Sequence, residues 1–269
     1  SAAIGSEPFA LAMAPDGSAL YAGLNGSGEV VKLSLPGLTE QYRTRLPTSY
    51  NFGTQLLAKS IAASPSEADV IAVSTYDPSL SPGSAGVVLV RAGAIQAQIA
   101  GGFGSGTQIG PIAFDGTGTT VFGYNEETTE FGLYALSVGS DGLTVANRNT
   151  TTMGFIVRNV DWTSQGVVVN NGLYRGSDLA LLGTASSNLC RAHSVTDRLV
   201  CIAGNGKLAV VDATNFVTLA TPAFSVASYP PTPDQLVPGA AGQVALRIDS
   251  PYRTWRATAI WLFNSPQLQ

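Results

Sequence analysis

The sequence has little charge, little sulfur and one histidine, and each scarcity argues against a class of function. Only 12% of its 269 residues are charged, and lysine occurs three times. Nucleic-acid binding needs clustered lysine and arginine to displace counterions from phosphates, so nucleic acid is not expected as a partner. No apolar run approaches the ~18 residues that cross a bilayer. The single histidine, His193, excludes a metal site built from several imidazoles.

The two cysteines indicate an oxidising compartment. Cys190 and Cys201 flank two β-prone segments that meet at a tight turn around residues 196–198. Residues that face each other across such a hairpin lie close enough for a disulfide. The alternative is a pair of unrelated buried thiols, because free cysteine is often buried. A disulfide would place the protein outside the cytoplasm.

Internal repetition is the most informative feature of the sequence. The first unit begins at Phe9 and predicts four short strands joined by tight turns, at residues 10–14, 19–24, 29–35 and 39–46. The same order of strands and turns recurs five more times, and the last unit has only three strands. Six units in this length average about 45 residues each, which matches the four-stranded blade of a propeller. We therefore predict an all-β propeller of antiparallel four-stranded blades.

The missing strand of the last unit has a natural donor in the same chain. Residues 1–6 precede the first inner strand, where the outer strand of a blade is expected. If they pair beside residues 257–263, the two ends of the chain close a six-bladed ring and leave no exposed sheet edge. The alternative is a seven-bladed ring of which the sequence lacks most of one blade. In either case residues 1–269 are predicted to be a single domain.

Three segments resemble a known group of propellers. Residues 12–24, Ala-Met-Ala-Pro-Asp-Gly-Ser-Ala-Leu-Tyr-Ala-Gly-Leu, look like the blade signature of secreted bacterial propellers with YVTN-type repeats. Residues 124–132 and 244–247 resemble a subgroup found in large extracellular proteins that often carry adhesive modules. The resemblance implies an extracellular, cell-surface or secreted bacterial protein. Its motifs belong to the scaffold, so it implies no catalytic residues.

Acidic residues are the strongest candidates for chemistry, and each has a simpler interpretation. Asp115 and Asp161 end neighbouring inner strands, but both precede turns, where aspartate commonly caps the backbone. Glu126, Glu127 and Glu130 crowd one hairpin tip and could hold calcium through oxygen ligands. A solvated charged loop is the simpler interpretation. We therefore predict no catalytic residue and no cofactor, with calcium as the one ion to consider.

The connections between strands differ in length between the two ends of the blades. The turns at one end are short, whereas the loops at the other end are long, at residues 47–57, 76–85, 124–130, 225–234 and 249–256. Long loops on a rigid scaffold commonly carry recognition. These loops also carry aromatic residues: Tyr50, Phe52, Tyr76, Tyr124, Tyr229, Tyr252 and Trp255. The alternative is that the long loops merely span wide gaps between blades.

We therefore predict that a partner docks on the long-loop face. The expected contacts and the charged residues beside them are Tyr76, Tyr124, Glu126, Glu127, Tyr252, Arg253, Trp255 and Arg256. Tyrosine and tryptophan offer large, rigid contact area at low entropic cost. The two arginines could pair with the glutamates or with an acidic ligand.

The sequence as a whole predicts a non-catalytic binding, adhesion or scaffold module that recognises a protein or glycan at the cell surface. One alternative is a carbohydrate-active or lactone-cleaving enzyme that uses acids at the mouth of the central channel. A second is a purely structural spacer, which has no ligand. The ligand and the oligomeric state do not follow from the sequence.

Overall fold

The extended regular elements of the described residues are β-strands. A computed structural model describes residues 3–49, 52–101, 108–128, 131–150, 157, 159–187, 189–193, 196–202, 207–222, 232–238, 243–249 and 259–266. The chain divides into two compact units, residues 1–157 and 158–269. Within the described ranges, no helix is long and apolar enough to cross a membrane.

The described part of unit 1 forms three four-stranded antiparallel sheets, with the strands of each sheet in chain order. The first sheet contains β1 (Pro8–Met13), β2 (Ala19–Leu24), β3 (Glu29–Ser34) and β4 (Thr39–Arg45). The second contains β5 (Leu57–Ala63), β6 (Val70–Tyr76), β7 (Ser84–Arg91) and β8 (Ala94–Ile95). The third contains β9 (Ile109–Phe114), β10 (Thr120–Asn125), β11 (Gly132–Gly139) and β12 (Gly142–Asn149).

In the first and third of these sheets, a short turn capped by an aspartate side chain connects the first two strands. In the first sheet, Asp16 Oδ1 accepts hydrogen bonds from the N–H (2.9 Å) and hydroxyl (2.7 Å) of Ser18. In the third sheet, Asp115 Oδ1 accepts from the N–H of Thr120 at 3.1 Å, and the Thr117 hydroxyl donates to Asp115 Oδ2 at 2.6 Å. Asp115 therefore has the turn-capping role predicted from the sequence.

Apolar side chains fill the spaces between the sheets of unit 1. The second strand β6 is buried along its whole length except at Tyr76, because both faces of the second sheet are covered. The core between the first and second sheets includes Ala10, Tyr21, Val30, Ile61, Val73 and Val88. The core between the second and third sheets includes Val70, Leu89, Ile112, Phe114, Tyr134 and Leu136. Burial of this apolar surface is the main stabilising contribution.

The described part of unit 2 also forms three antiparallel sheets, of which the last has three strands. The fourth sheet contains β13 (Val160–Thr163), β14 (Gly166–Val169), β15 (Gly172–Tyr174) and β16 (Leu181–Thr184). The fifth contains β17 (Leu189–Ala192), β18 (Arg198–Ile202), β19 (Leu208–Asp212) and β20 (Thr218–Ala220). The sixth contains β21 (Thr232–Pro238), β22 (Gln243–Asp249) and β23 (Ala259–Asn264).

The predicted disulfide is present in the fifth sheet. Cys190 and Cys201 are direct partners across β17 and β18, with their Cα atoms 4.0 Å apart and both residues fully buried. The peptide groups of Cys190 bond to the fourth sheet instead of to Cys201. Its N–H donates to the carbonyl of Asn170 at 2.9 Å, and its carbonyl accepts from Asn159 Nδ2 at 3.0 Å. The disulfide therefore lies in the core of unit 2, where Val168 and Leu199 pack beside it.

The order of strands predicted from the repeats is confirmed, but the strand predicted over residues 1–6 is wrong for residues 3–6. These residues have no strand conformation. Ile4 packs against the apolar side chains of β2 and β3, and its carbonyl accepts a hydrogen bond from Arg43 Nη2 at 3.0 Å. The apolar side chain and the arginine hold the segment against the first sheet. Ser1 and Ala2 lie outside the described residues, and the single-domain assignment stays a prediction.

Candidate binding face

Two loop excursions project from one end of unit 1. The first joins β4 to β5, and its two ends meet, because the N–H of Leu56 donates to the carbonyl of Pro47 at 3.1 Å. Residues 48–55 are therefore not needed to span the distance between the two sheets. The alternative interpretation from the sequence, a loop that bridges a wide gap, is wrong for this link.

The first excursion is a short hairpin that is fixed at its base. The N–H of Ser49 donates to the carbonyl of Thr54 at 2.7 Å, and the N–H of Gly53 donates back to the carbonyl of Ser49 at 3.0 Å. At the base, Gln55 Nε2 donates to the carbonyls of Leu46 (2.9 Å) and Leu56 (3.1 Å). Leu46 and Leu56 are both buried. The base of the hairpin is thus fixed by hydrogen bonds on both strands.

A glycine makes room for the side chain that fixes this hairpin. Gly28 lies in the β2–β3 turn with φ of +67°, a conformation that side chains rarely adopt. A Cβ atom there would collide with the aliphatic part of Gln55, which packs directly against the glycine. Gln55 Oε1 accepts a hydrogen bond from Arg45 Nε at 2.9 Å, so both the oxygen and the nitrogen of the Gln55 amide group form hydrogen bonds.

The second excursion, residues 77–83 between β6 and β7, lies beside the first. The N–H of Asp77 donates to the carbonyl of Gly83 at 2.7 Å, which closes this loop at its base. Burial would raise the pKa of Asp77, but the hydroxyl and N–H of Ser79 and the hydroxyls of Ser49 and Thr54 hold that pKa below its usual value. Asp77 is thus a buried carboxylate whose Oδ1 accepts from the N–H (2.9 Å) and hydroxyl (2.6 Å) of Ser79.

A lysine and two glutamates connect the second excursion to the third sheet. Lys59 on β5 contacts both Glu126, at 2.8 Å, and Glu127 in the loop after β10. Glu127 Oε2 also accepts hydrogen bonds from the N–H groups of Gly83 (2.9 Å) and Ser84 (2.8 Å). Burial opposes the charge on Glu127, yet Lys59 and the N–H of Ser84 hold its pKa below the usual range. The two glutamates thus help to hold the second excursion against the third sheet.

This ionic cluster predicts a pH-dependent contribution to stability. A glutamate with a lowered folded-state pKa stabilises the protein above its unfolded pKa, about 4.3, and that contribution is lost as the pH falls further. We expect Glu127→Gln to lower the free energy of unfolding by about 2 kcal/mol at pH 7, because the partly buried N–H groups of Gly83 and Ser84 and the ammonium group of Lys59 lose a charged acceptor. Denaturant unfolding at several pH values measures this difference, which should shrink below pH 4.

The matched control is Glu40→Gln, because Glu40 pairs with Arg43 on the exposed outer strand β4. An exposed pair contributes little, so this variant should change stability by less than about 0.5 kcal/mol. Equal effects of the two substitutions at pH 7 would contradict the role given to Glu127.

The structure separates the two tyrosines that were predicted as contacts in unit 1. Tyr76 ends β6 at the base of the second excursion, is half-buried, and accepts a hydrogen bond from Asn25 Nδ2 at 3.0 Å. Tyr124 lies on β10 and is fully buried, so the prediction that it contacts a partner at the surface is wrong. The strand continues to Asn125, which places Tyr124 inside the sheet and not in the loop. Sequence reasoning gave less weight to Phe52, which is 63% exposed at the first excursion.

The remaining predicted contacts, Tyr252, Arg253, Trp255 and Arg256, lie outside the described residues. Their role stays a prediction. Calcium was considered at Glu126, Glu127 and Glu130. Glu126 and Glu127 bind Lys59, and Glu130 also lies outside the described residues. Within the part of the chain that is described, no three acidic, histidine or cysteine residues are grouped to hold an ion.

The other candidate catalytic residues, Asp161 and His193, are buried or half-buried and contact neighbouring side chains. Asp161 does not cap a turn as predicted, because it lies on β13 and forms a two-point ion pair with Arg191 of β17, at 2.5 and 2.8 Å. Burial disfavours the charge on Arg191, but Asp161 raises its pKa above the usual value. His193 is buried, and its Nδ1 lies 3.1 Å from the hydroxyl of Thr196. Burial and the nearby Arg198 lower the pKa of His193.

Comparison with solved structures establishes the fold. The structure entitled "Structure of U3-55K" matches with a TM-score of 0.66 at 12% identity, covering 92% of this chain and 76% of that chain. The WD40 repeats of RRP9 match with a TM-score of 0.65 at 13% identity, covering 92% and 75%. The fold is a β-propeller. A chain of the mitotic checkpoint complex matches with a TM-score of 0.58 at 10% identity, covering 95% and 76%.

The similarity of this chain to known proteins extends only to the propeller fold. No protein-family model matches the chain, and no curated protein matches its sequence. At 10–13% identity, the matched structures share the fold of this chain and not a demonstrated activity. The propeller prediction is therefore confirmed. The resemblance to secreted bacterial propellers with YVTN-type repeats and the number of blades stay predictions.

Proposed function

We propose that this propeller is a non-catalytic binding module that recognises a protein or glycan through the two excursions of unit 1. The observation that carries the proposal is that the ends of each excursion are joined by a hydrogen bond, Leu56 to Pro47 and Asp77 to Gly83. Loop length that connectivity does not require, held in place by buried polar contacts, is typical of a recognition surface on a rigid scaffold.

The proposal places the protein outside the cytoplasm, as a secreted or cell-surface module. The buried disulfide between Cys190 and Cys201 supports this location, because such bonds persist in oxidising compartments. The resemblance to secreted bacterial propellers supports it independently.

A non-catalytic role fits the state of the candidate catalytic groups. Asp161 is paired with Arg191, Asp115 caps a turn, and Glu127 is bonded to Lys59 and to two N–H groups. A general acid or base needs a group that is open to a substrate. These carboxylates serve the scaffold instead.

A shortened variant tests the proposal. Replacing residues 49–54 by an Asn-Gly turn joins Thr48 to Gln55 in a two-residue hairpin, which their existing pairing permits. Immobilised wild type and variant are compared for retention of extracellular proteins from the producing organism and for binding to a glycan array. We expect the variant to retain at least about tenfold less ligand than the wild type, because a contact surface has been removed.

The control is Arg175→Ala with Asp178→Ala, which removes an exposed ion pair from the fourth sheet. It should retain the ligand as well as the wild type does. If neither the wild type nor the control retains any protein or glycan, the spacer alternative replaces the proposal. Turnover of a glycan or lactone panel by the wild type would favour the enzyme alternative.

A further inference from the structure

A small cleft opens between the first and second sheets, at the end of unit 1 opposite the two excursions. The β1–β2 turn and the β5–β6 turn border it, whereas the excursions follow β4 and β6. Its polar lining residues include Asp16, Tyr21, Lys32, Ser64, Glu67 and Asp69. The cleft encloses about 190 Å³. Pockets for drug-sized ligands enclose roughly 300–1,000 Å³, so this cleft fits one small chemical group.

A cross-strand row of side chains places polar groups at the wall of the cleft. Tyr21, Lys32 and Tyr42 are direct partners on β2, β3 and β4. Both tyrosines lie on the side of the first sheet that packs against the second. Lys32 pairs with Asp69 of the second sheet, and its ammonium group lies 5.7 Å from the centre of the Tyr42 ring.

The hydroxyl of Tyr21 has hydrogen-bonding capacity that the described part of the protein does not use. Tyr21 is only 2% exposed and lines the cleft. Burial and the nearby Tyr42 raise the pKa of Tyr21 to about 12, so the hydroxyl keeps its proton at neutral pH. The Tyr42 hydroxyl is itself buried, and neither hydroxyl forms a hydrogen bond with any described residue. Because a buried polar group without a partner is unfavourable, a ligand that bonds to Tyr21 would relieve that cost.

Three carboxylates at the cleft each keep one oxygen that bonds to no described residue. Asp16 accepts the hydrogen bonds of its turn at Oδ1. Glu67 pairs with Arg91 through Oε2. Asp69 pairs with Lys32 through Oδ1. Three negative charges against two positive ones attract a cation and repel an anion.

The spacing of these carboxylates argues against a metal ion. Among the described residues, no three acidic, histidine or cysteine side chains lie close enough together to hold one. The ligand that fits is therefore an organic cation with several separated hydrogen-bond donors.

We propose that this cleft binds a guanidinium group, which belongs either to free arginine or to an arginine side chain of a partner polypeptide. A guanidinium is planar and always charged, and its five N–H donors can reach more than one carboxylate and a hydroxyl at once. An ammonium group is a compact, strongly hydrated point charge and fits separated acceptors less well. The cleft lies at the end of the sheets away from the excursions, so this site is independent of the proposed function.

Calorimetric titration of the whole chain with three blocked amino acids tests the ligand class. The probes are the Nα-acetyl amides of arginine, lysine and citrulline, of which citrulline keeps the shape of arginine without its charge. We expect the arginine probe to bind at least about tenfold more tightly than the other two. Tighter binding of free arginine than of its blocked form would assign the site to the free amino acid, and the reverse order to a polypeptide side chain. No binding of the arginine probe, or equal binding of either other probe, would overturn the inference.

Two substitutions test the residues that are expected to contact the ligand. Tyr21→Phe removes only the hydroxyl and should weaken binding of the arginine probe about fivefold. Its denaturant midpoint should equal that of the wild type, because the hydroxyl has no hydrogen bond to lose among the described residues. Asp16→Asn removes an exposed charge and should weaken binding about tenfold.

The matched control is Asp141→Asn, which removes an exposed charge from the β11–β12 turn, outside the cleft. Its affinity for the arginine probe should equal that of the wild type. Equal weakening by Asp16→Asn and by this control, or unchanged affinity of folded Tyr21→Phe, would overturn the inference.

Discussion

Replacing Asp161 by alanine should lower the free energy of unfolding by about 3 kcal/mol, because the substitution breaks a largely buried ion pair. Asp161 accepts four hydrogen bonds, two from Arg191 and one each from the N–H of Ala192 (3.1 Å) and Asn159 Nδ2 (3.1 Å). Its side chain is only 14% exposed, and that of Arg191 is 27% exposed. Removing the carboxylate takes a charged partner away from a poorly solvated guanidinium.

Denaturant unfolding of four proteins measures this effect as a double-mutant cycle. The cycle comprises the wild type, Asp161→Ala, Arg191→Ala and the double variant, and we expect a coupling energy of about 2 kcal/mol between the two residues. Asp178→Ala is the matched control, because Asp178 pairs with Arg175 while both side chains are more than half exposed. Its effect should stay below about 0.5 kcal/mol. A coupling energy below about 0.5 kcal/mol, the size expected of an exposed pair, would contradict the structural role of Asp161.

Removing the disulfide should be comparably destabilising. The bond closes a loop of 11 residues in sequence separation, and loops of this size contribute up to about 3 kcal/mol by restricting the unfolded chain. We expect the double substitution of Cys190 and Cys201 by alanine to lower the free energy of unfolding by that amount. Reduction of the wild type should give a similar decrease, measured by thermal or denaturant unfolding.

The double variant itself provides the control, because a reductant should leave its stability unchanged. Since both cysteines are fully buried, the native protein should also resist thiol alkylation until it is unfolded and reduced. Alkylation of both cysteines in unfolded protein that has not been reduced would contradict the disulfide and weaken the argument for an extracellular location.

The elements that were predicted correctly depend on residues close together in the sequence. The Asp-Gly and Pro-Gly turns and the apolar segments between them are local signals, and they placed the strands of the repeats. The Cys190–Cys201 pairing follows from the same logic, because the two strands of one hairpin face each other at short sequence separation. Asp115 caps its own turn for the same reason.

The predictions that failed depend on contacts far apart in the sequence. Tyr124 was assigned to a loop, but the strand extends past it and neighbouring strands bury it. Asp161 was assigned to a turn, but its partner Arg191 is 30 residues away. Residues 3–6 were assigned to an outer strand, but Ile4 finds an apolar surface on the first sheet. Local pattern does not reveal which surface a side chain will meet.

The repeated four-stranded sheets, and the disulfide in one of them, could be predicted from the sequence alone, because strand period, turn residues and hairpin pairing are local properties. The hydrogen bond that joins the two ends of residues 47–56, by contrast, is visible only in the folded structure. The ion pair between Lys59 and Glu127, which are 68 residues apart in the sequence, likewise forms only in the folded structure. Such contacts form only when packing brings distant segments together, and no short stretch of sequence encodes them.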